Sequence, residues 1–484
     1  MTIGLNTATL LSGQGIDVSS LVQQIIGQQT GQLSVWQGQQ TTLATQDGLL
    51  AGINNNLINL QTAVAALADP LGPLTAQAAT SSQTGVLTAT AQSTAINGTH
   101  QIVVTSLATA GTLYSNSFVA GASTSFLASG QTTGDIQLQV GGVTGSTRDI
   151  AITQGSNDTL NTLASYINTQ STANNWGVTA SVVSDANGSR LSLQSQNTGS
   201  GGALSIANNS NTALTFATPA GGANAALTID GVPFSSSSNT VIGAIQGVTL
   251  NLVSEASGNP VQLTVGADTN QITTAVNNFV SAYNTLISTI NTQYVVDPTG
   301  SIPAPPLEGD ISLRSLQSRL LTDVASAVGG NNGLVNLASM GINMNNDGTL
   351  TVGSTPAPSS QTFAQVLAAN PGAVQNFFQN SSATGFANAF NADLTSLTSP
   401  TQGPLNVALT QNQAEQHDLT NTIISFETRL TTEQAALTAQ YNSVNAALQS
   451  YPLLLQLTTE TLGSLSSFGS SSSSSASPIL TSGL

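Results

Sequence analysis

The side chains that could perform acid–base or metal chemistry are few in this sequence and stand far apart. The chain of 484 residues has two histidines, His100 and His417, and neither cysteine nor lysine. Neither histidine has a neighbour at metal-ligand spacing, whereas a zinc site needs three or four ligands. Without lysine, Schiff-base chemistry and a Walker phosphate loop are excluded, and no carboxylate pair resembles that of a glycosidase. We therefore predict that the chain is not an enzyme and holds no metal or cofactor.

Two short clusters of acidic and amide side chains beside glycine could suggest calcium loops. They are DANG at 185–188 and NNDG at 345–348. Both clusters lack the alternating oxygen ligands and the terminal glutamate of an EF-hand loop. Asn-Gly and Asp-Gly are the residues that type I′ turns favour, so we interpret both clusters as hairpin turns.

The charge balance narrows the classes of partner. Only 5% of the residues are charged, and 21 acidic residues against five arginines give a formal net charge of −16. With no basic patch for phosphate groups, nucleic-acid partners are not expected. No apolar run approaches the roughly 20 residues that span a bilayer, so membrane insertion is not expected either. The N-terminus also lacks the basic region of a cleaved signal peptide.

Two stretches of the sequence have the apolar spacing of amphipathic helices, and we expect these helices to position the residues that contact partners. In residues 33–67 apolar side chains recur every seven residues, and in residues 405–451 they stand three and four apart. The first seam comprises Trp36, Leu43, Leu50, Leu57 and Val64, and the second comprises Leu419, Ile423, Phe426, Leu430, Leu437, Tyr441, Val444 and Leu448. The two helices either pair as a stalk or lie on separate cores, because periodicity does not name what covers a buried face.

Between the two seams the apolar period changes to two, which is typical of strands. We predict an α+β fold with a coiled-coil-like helical stalk, a mixed α/β layer and an inserted β-rich head. Gly27 and Gly31 are expected to weaken a first short helix, and Asp158 is expected near the cap of a helix at 157–170. The predicted units are an N-terminal helical leg at 1–74, a mixed middle domain at 75–117 and 226–400, an inserted head of one or two subdomains at 118–225, a C-terminal helical leg at 401–462 and a flexible serine-rich tail at 463–484.

Several segments, in their order along the chain, resemble the flagellar filament capping proteins, the flagellar hook-associated protein 2 family. GIDVSSLVQQII at 15–26 is similar to the N-terminal signature of that family, and residues 86–118 are similar to its first strand block. Further similar segments are 277–290, 307–320 and 340–350, and residues 134–195 resemble a small repeat of flagellar axial proteins.

The resemblance implies a non-enzymatic assembly factor that is exported by the flagellar type III apparatus without cleavage and acts outside the cell. Such proteins form a ring, commonly a pentamer, at the distal filament tip, where they retain flagellin and promote its folding and insertion. The implied partners are further copies of the chain, flagellin, the hook–filament junction proteins and an export chaperone at the C-terminal helix. On this view the seam residues are partner contacts, and we expect the seams to find their complement in neighbouring molecules.

Two other functions remain open on the sequence: a secreted β-rich adhesin on a helical anchor, and another axial protein such as flagellin or a junction protein. One departure from the family pattern bears on any partner contact. The helix at 33–67 contains a single charged residue, Asp47. Because flanking salt bridges cannot then set its register, we expect its partner contacts to be insensitive to salt.

Overall fold

The computed structural model of the chain describes residues 17–142, 145–217, 220–295, 297–299, 301, 303–329, 331, 333–353, 361–380 and 382–469. The helices are α1 Val18–Ala68, α2 Leu160–Asn174, α3 Thr269–Thr292, α4 Ile311–Val324, α5 Phe363–Ala369, α6 Pro371–Phe378, α7 Phe386–Leu397 and α8 Pro404–Gly469. The mixture of helices and several small sheets confirms the predicted α+β class. No helix in the described ranges is both long enough and apolar enough to cross a bilayer.

In the part of the chain that the structure describes, the strands fall into five small antiparallel sheets. They are β1 Gln77–Ser81, β2 Leu87–Ala91, β3 Gly98–Ser106, β4 Ala110–Tyr114, β5 Thr133–Val140, β6 Ser146–Thr153, β7 Val178–Asp185, β8 Gly188–Thr198, β9 Leu204–Ser210, β10 Ala225–Ile229, β11 Val232–Ser236, β12 Thr240–Ile245, β13 Val248–Leu252, β14 Val261–Ala267, β15 Ile342–Met344 and β16 Leu350–Val352.

The two longest helices, α1 and α8, lie antiparallel to each other, so the interpretation of two separate cores is wrong. Asp17 caps α1 by accepting a hydrogen bond from the backbone N–H of Ser20. The first short helix that Gly27 and Gly31 were expected to weaken is not a separate element, because α1 continues through both glycines. Likewise α8 ends at Gly469, beyond the expected start of the serine-rich tail at 463. Residues 470–484 of that predicted tail, and residues 1–16, lie outside the described residues.

The helices α3 to α7 pack around the C-terminal half of α1 and form one hydrophobic core, which we call the base. Phe279 and Tyr283 of α3 are fully buried there, together with Phe386 of α7. The prediction placed residues 226–400 in one mixed domain. This grouping is wrong, because residues 269–397, including β15 and β16, share their core with α1, whereas β10 to β14 belong to a separate core.

That separate core belongs to a β domain made from two distant parts of the chain. Its larger sheet has the order β1-β14-β3-β10-β11, and its smaller sheet has the order β12-β13-β2. Alternate residues of these strands point inward, as at Val104, Leu250 and Leu263, so each strand buries one face. The sequence between β3 and β10 leaves this domain and returns to it.

The segment between β3 and β10 forms the predicted head, with sheets β4-β8-β7 and β6-β5-β9 and the helix α2. The head begins earlier than residue 118, because β4 already pairs with β8. Thr159, and not Asp158, caps α2: its hydroxyl accepts a hydrogen bond from the backbone N–H of Thr162. The hairpin interpretation of 185–188 and 345–348 is confirmed, because these residues join β7 to β8 and β15 to β16.

Candidate partner-contact surface

The two long helices project beyond the base as a rod, which we call the stalk: residues 18–47 of α1 and 411–466 of α8. Side-chain amides bond across the pair from Gln29 to Glu433 (2.9 Å), from Gln40 to Thr420 (2.9 Å), from Gln416 to Asp47 (2.7 Å) and, nearer the base, from Asn54 to Asn406 (3.2 Å). Among the described residues no ion pair joins α1 to α8. The register within the chain therefore depends on amide hydrogen bonds and apolar contacts.

Three of the predicted contact residues lie in the base and not on a free surface. Leu50 is 1% exposed, and Leu57 and Val64 are completely buried. Their face of α1 is covered by the apolar faces of α3 and α7. The expectation that the first seam finds its complement only in neighbouring molecules is therefore wrong for these three residues, which serve the core of this chain.

In the stalk the two seams pair with each other, but two helices alone cover them only in part. Ile423 and Leu430 are buried. The half-buried members are Trp36, Leu43, Leu419, Phe426, Leu437, Tyr441 and Leu448, whereas Val444 is exposed. The second seam is thus paired within the chain, which confirms the predicted stalk, whereas the expectation of a complement only in neighbouring molecules is wrong for the buried Ile423 and Leu430. Its outer edges remain available to a further molecule, and we retain them as candidate contacts.

An aromatic cluster with a cation marks the middle of the stalk. The rings of Trp36 and Phe426 meet edge to face, with centroids 5.2 Å apart. The guanidinium carbon of Arg429 lies 4.7 Å from the centroid of the Phe426 ring. Beside them is an open cleft of about 490 Å³, whose other lining residues are Asn421, Thr422 and Ser425. This cluster combines apolar area, a positive charge and hydrogen-bonding groups.

The far end of α8 carries an apolar surface that the sequence analysis did not single out. Beyond Pro452 every side chain to residue 466 is exposed, including Leu453, which is 67% exposed, and Leu457. Proline inside a helix removes one backbone hydrogen bond, so this end is locally weakened. The run LLLQL at 453–457 was the available signal, but it lies beyond the last regular seam position.

The two histidines of the chain lie in different parts of the structure, His100 on β3 and His417 on α8. His100 Nδ1 lies 2.7 Å from Asp230 Oδ2, and the hydrogen bonds from His100 and from the N–H of Gln101 lower the pKa of Asp230. His417 is exposed on α8. Among the described residues no three histidine, aspartate or glutamate side chains stand close enough together to hold a metal ion.

A second charged cluster joins α4 to α7 in the base. Arg319 donates two hydrogen bonds to the carboxylate of Asp393, one of them from Nε at 2.7 Å. Asp323 lies on the same helix as Arg319 and contacts Asp393. Burial, the hydrogen bond to Asp393 and the charge of Asp393 raise the pKa of Asp323 to about 7, although Arg319 opposes the shift. The Asp323 carboxyl is therefore protonated more readily than an exposed aspartate.

Most of the chain matches proteins of bacterial flagella. Residues 14–111 match the family described as flagellar hook-associated protein 2 N-terminus, and residues 222–452 match the corresponding C-terminus. Residues 135–197, in the head, match the flagellin hook IN motif. The two terminal matches include both stalk helices and the strands of the β domain.

Individual proteins extend this similarity. The B-type flagellar hook-associated protein 2 of Pseudomonas aeruginosa is 30% identical over 399 residues, which cover 76% of this chain and 79% of that protein. Flagellar hook-associated protein 2 of Escherichia coli is 27% identical over 337 residues, 65% of this chain and 69% of that protein. The crystal structure of the D1-D2-D3 domains of the flagellar cap protein FliD from Escherichia coli superposes with a TM-score of 0.55 at 26% identity, and covers 75% of this chain and 99% of that one.

Proposed function

The chain belongs to the flagellar hook-associated protein 2 family of flagellar cap proteins, and we propose that several copies form a ring at the distal tip of the growing filament. In this role the ring retains exported flagellin and promotes its folding and insertion. A pentamer is the proposed assembly, and the site of action is outside the cell, after export without cleavage of a signal peptide. The proposed partners are flagellin and the hook–filament junction proteins.

The observation that carries this proposal is the stalk. A two-helix rod made from opposite ends of the chain projects from a folded base, and its apolar seam is only partly covered. Such a rod is suited to reach between filament subunits, because a third helix or a loop can bury the remaining apolar edges. The β domain and the head, which have cores of their own, are then free to form the plate of the ring.

The exposed end of α8 supports the proposed contact with an export chaperone. Leu453, Leu454 and Leu457 present an apolar surface of a kind that soluble proteins usually cover. A helix with such a surface is bound in a hydrophobic groove in one common mode of peptide recognition. A chaperone that provides this groove would shield the segment before export.

The test of the proposed function is the fate of flagellin when the gene is deleted. Cap function predicts that monomeric flagellin accumulates in the medium and that filaments are short or missing, and that the intact gene reverses both effects. Filaments of normal length with lost attachment to surfaces would contradict the proposal and favour an adhesin.

A truncation separates the stalk from the rest of the fold. Since Leu50 and Leu57 fill the base core, the deletion must stop before them, and removal of residues 1–46 meets this condition. This variant is expected to keep the β domain, the head and the base folded but to fail to restore filament growth. If it restores growth as well as the intact chain does, the stalk has no part in the function.

A further inference from the structure

The positive charge in the stalk is a single arginine in acidic surroundings. Helix α1 has no cation, and α8 has only Arg429, against the acidic residues Glu415, Asp418, Glu427, Glu433 and Glu460. An arginine among so many carboxylates would ordinarily form an ion pair. Nevertheless, no described carboxylate lies within ion-pair distance of Arg429.

Arg429 lacks an ion pair with Glu433 because Glu433 forms a hydrogen bond with a different residue. Glu433 follows Arg429 by one helical turn, a spacing at which arginine and glutamate commonly interact. In the structure its Oε1 instead accepts a hydrogen bond from Nε2 of Gln29 across the stalk, at 2.9 Å. The guanidinium of Arg429 stacks on Phe426, and no described residue accepts a hydrogen bond from it. Arg429 is exposed, so its N–H donors remain available to a further molecule.

The surroundings of Arg429 have the composition of a binding site for an acidic peptide segment. Trp36 and Phe426 hold each other edge to face and remain half-buried, so each still offers apolar surface. The cleft beside them is lined by Thr422 and Ser425, whose hydroxyl groups donate to the backbone carbonyls of Asp418 and Asn421 and can still accept a hydrogen bond from a peptide N–H. Guanidinium binds carboxylate through two parallel hydrogen bonds, a geometry that lysine cannot reproduce.

We propose that Trp36, Phe426 and Arg429 form a docking patch for a segment of the filament subunit that carries a carboxylate next to an apolar side chain. This inference rests on the proposed function, because it names the chemistry by which the stalk would hold the filament. The carboxylate pairs with Arg429, and the apolar side chain covers the Trp36–Phe426 edge. The filament subunit is the proposed occupant, because the proposed function brings the stalk against filament subunits, and binding of a second copy of this chain is distinguished from it in the test.

The test measures how tightly the labelled full-length chain binds to short filament seeds, which are prepared by shearing filaments of the same bacterium. Binding is titrated by pelleting the seeds at 50 mM and at 500 mM NaCl. The Arg429→Gln variant is expected to bind about tenfold more weakly at 50 mM salt, because one charge-assisted pair is lost. At 500 mM salt, where the wild-type pair is screened, the two proteins should differ much less. Arg429→Lys keeps the charge but not the two parallel hydrogen bonds, so its affinity at 50 mM salt should lie between those of the wild type and Arg429→Gln.

Arg314→Gln is the matched control, because Arg314 also stacks on an aromatic ring, that of Tyr294 in the base, at 5.7 Å. It removes the same charge away from the stalk and should bind as the wild type does. Equal loss in both glutamine variants would overturn the patch in favour of net charge. Wild-type binding by Arg429→Gln, or altered self-association in sedimentation without altered seed binding, would also overturn it. If the wild-type chain itself does not bind the seeds, the proposed function fails as well.

Discussion

Trp36 and Phe426 meet edge to face across the two stalk helices, with ring planes at 89°. Their contact lies between the amide hydrogen bonds of Gln29 to Glu433 and of Gln40 to Thr420. A shift of either helix by one residue would break the aromatic contact and both hydrogen bonds together. The register of the stalk is therefore determined without salt bridges.

The coupling between the two rings can be measured with a double-mutant cycle. Trp36→Ala and Phe426→Ala are each expected to destabilise the stalk, and together by about 1 kcal/mol less than the sum, since an edge-to-face pair contributes about that amount. Hydrogen exchange of α1 amides reports the opening free energy of the stalk. Trp36→Ala combined with Leu57→Ala, which lies in the base, should show additive effects. Additivity in the aromatic pair would contradict the contact.

The two parts of the seam should differ sharply in their contribution to stability. Leu57→Ala leaves a cavity in the base core and is expected to lower the free energy of unfolding by about 3 kcal/mol. Leu437→Ala, on the half-buried stalk, should lower it by about 1 kcal/mol or less. Urea denaturation followed by circular dichroism compares the two variants. Similar losses would mean that Leu437 is covered as fully as Leu57 in solution.

The stability of the base should depend on pH through Asp323. The pKa of Asp323 is raised to about 7 in the fold, whereas an unfolded chain has an aspartate pKa of about 3.9. The folded state therefore binds the proton more tightly, and stability falls as the pH rises from about 4 to 7 and is not regained above 7. Urea denaturation at pH 5, 6, 7 and 8 should show this decline.

Two variants identify the source of this decline. Asp323→Asn removes the titrating group, so the stability of this variant should vary less with pH. At pH 8 its free energy of unfolding should exceed that of the wild type by about 1 kcal/mol, a value that allows for solvent screening of the half-exposed carboxyl. Asp393→Asn removes the neighbouring charge and leaves Arg319 to Asp323, which should also reduce the decline. An unchanged pH profile in both variants would show that other groups cause it.

The outward face of α1 contains glycines that can be replaced with benefit to stability. A Cβ at Gly52 would meet no atom within 4 Å, and the position lies inside a helix over the base core. Gly52→Ala is therefore expected to stabilise the fold by about 0.5–1 kcal/mol. Gly341→Ala is the contrasting control, because Gly341 has φ +82° and a Cβ there would lie 2.7 Å from the Phe363 nitrogen. That variant should lose more than about 1 kcal/mol in urea denaturation.

Local sequence signals were sufficient for most elements but not for how they are grouped. The hairpin turn at Asn187-Gly188 was predicted correctly, because turn chemistry acts locally. Which core receives an amphipathic face is a tertiary property. Hence the seam predicted Leu50 and Leu57 as buried but could not show that α3 and α7 cover them.

The candidate site shows the same limit at the level of single side chains. The spacing of Arg429 and Glu433 favours an ion pair within one helix. The structure resolves the competition differently, because Gln29 of the opposite helix binds Glu433. Similarly, Asp158 and Thr159 are both able to cap α2, and the hydrogen bond between Thr159 and Thr162 decides in favour of Thr159.

The chain enters and leaves the head at neighbouring points. Thr109 donates its backbone N–H to the carbonyl of Ala223 at 2.9 Å, next to the ends of β3 and β10. The head is thus attached to the β domain by two neighbouring segments of the chain. A short turn that joins β3 to β10 could therefore replace the head and leave the β domain, the base and the stalk unchanged.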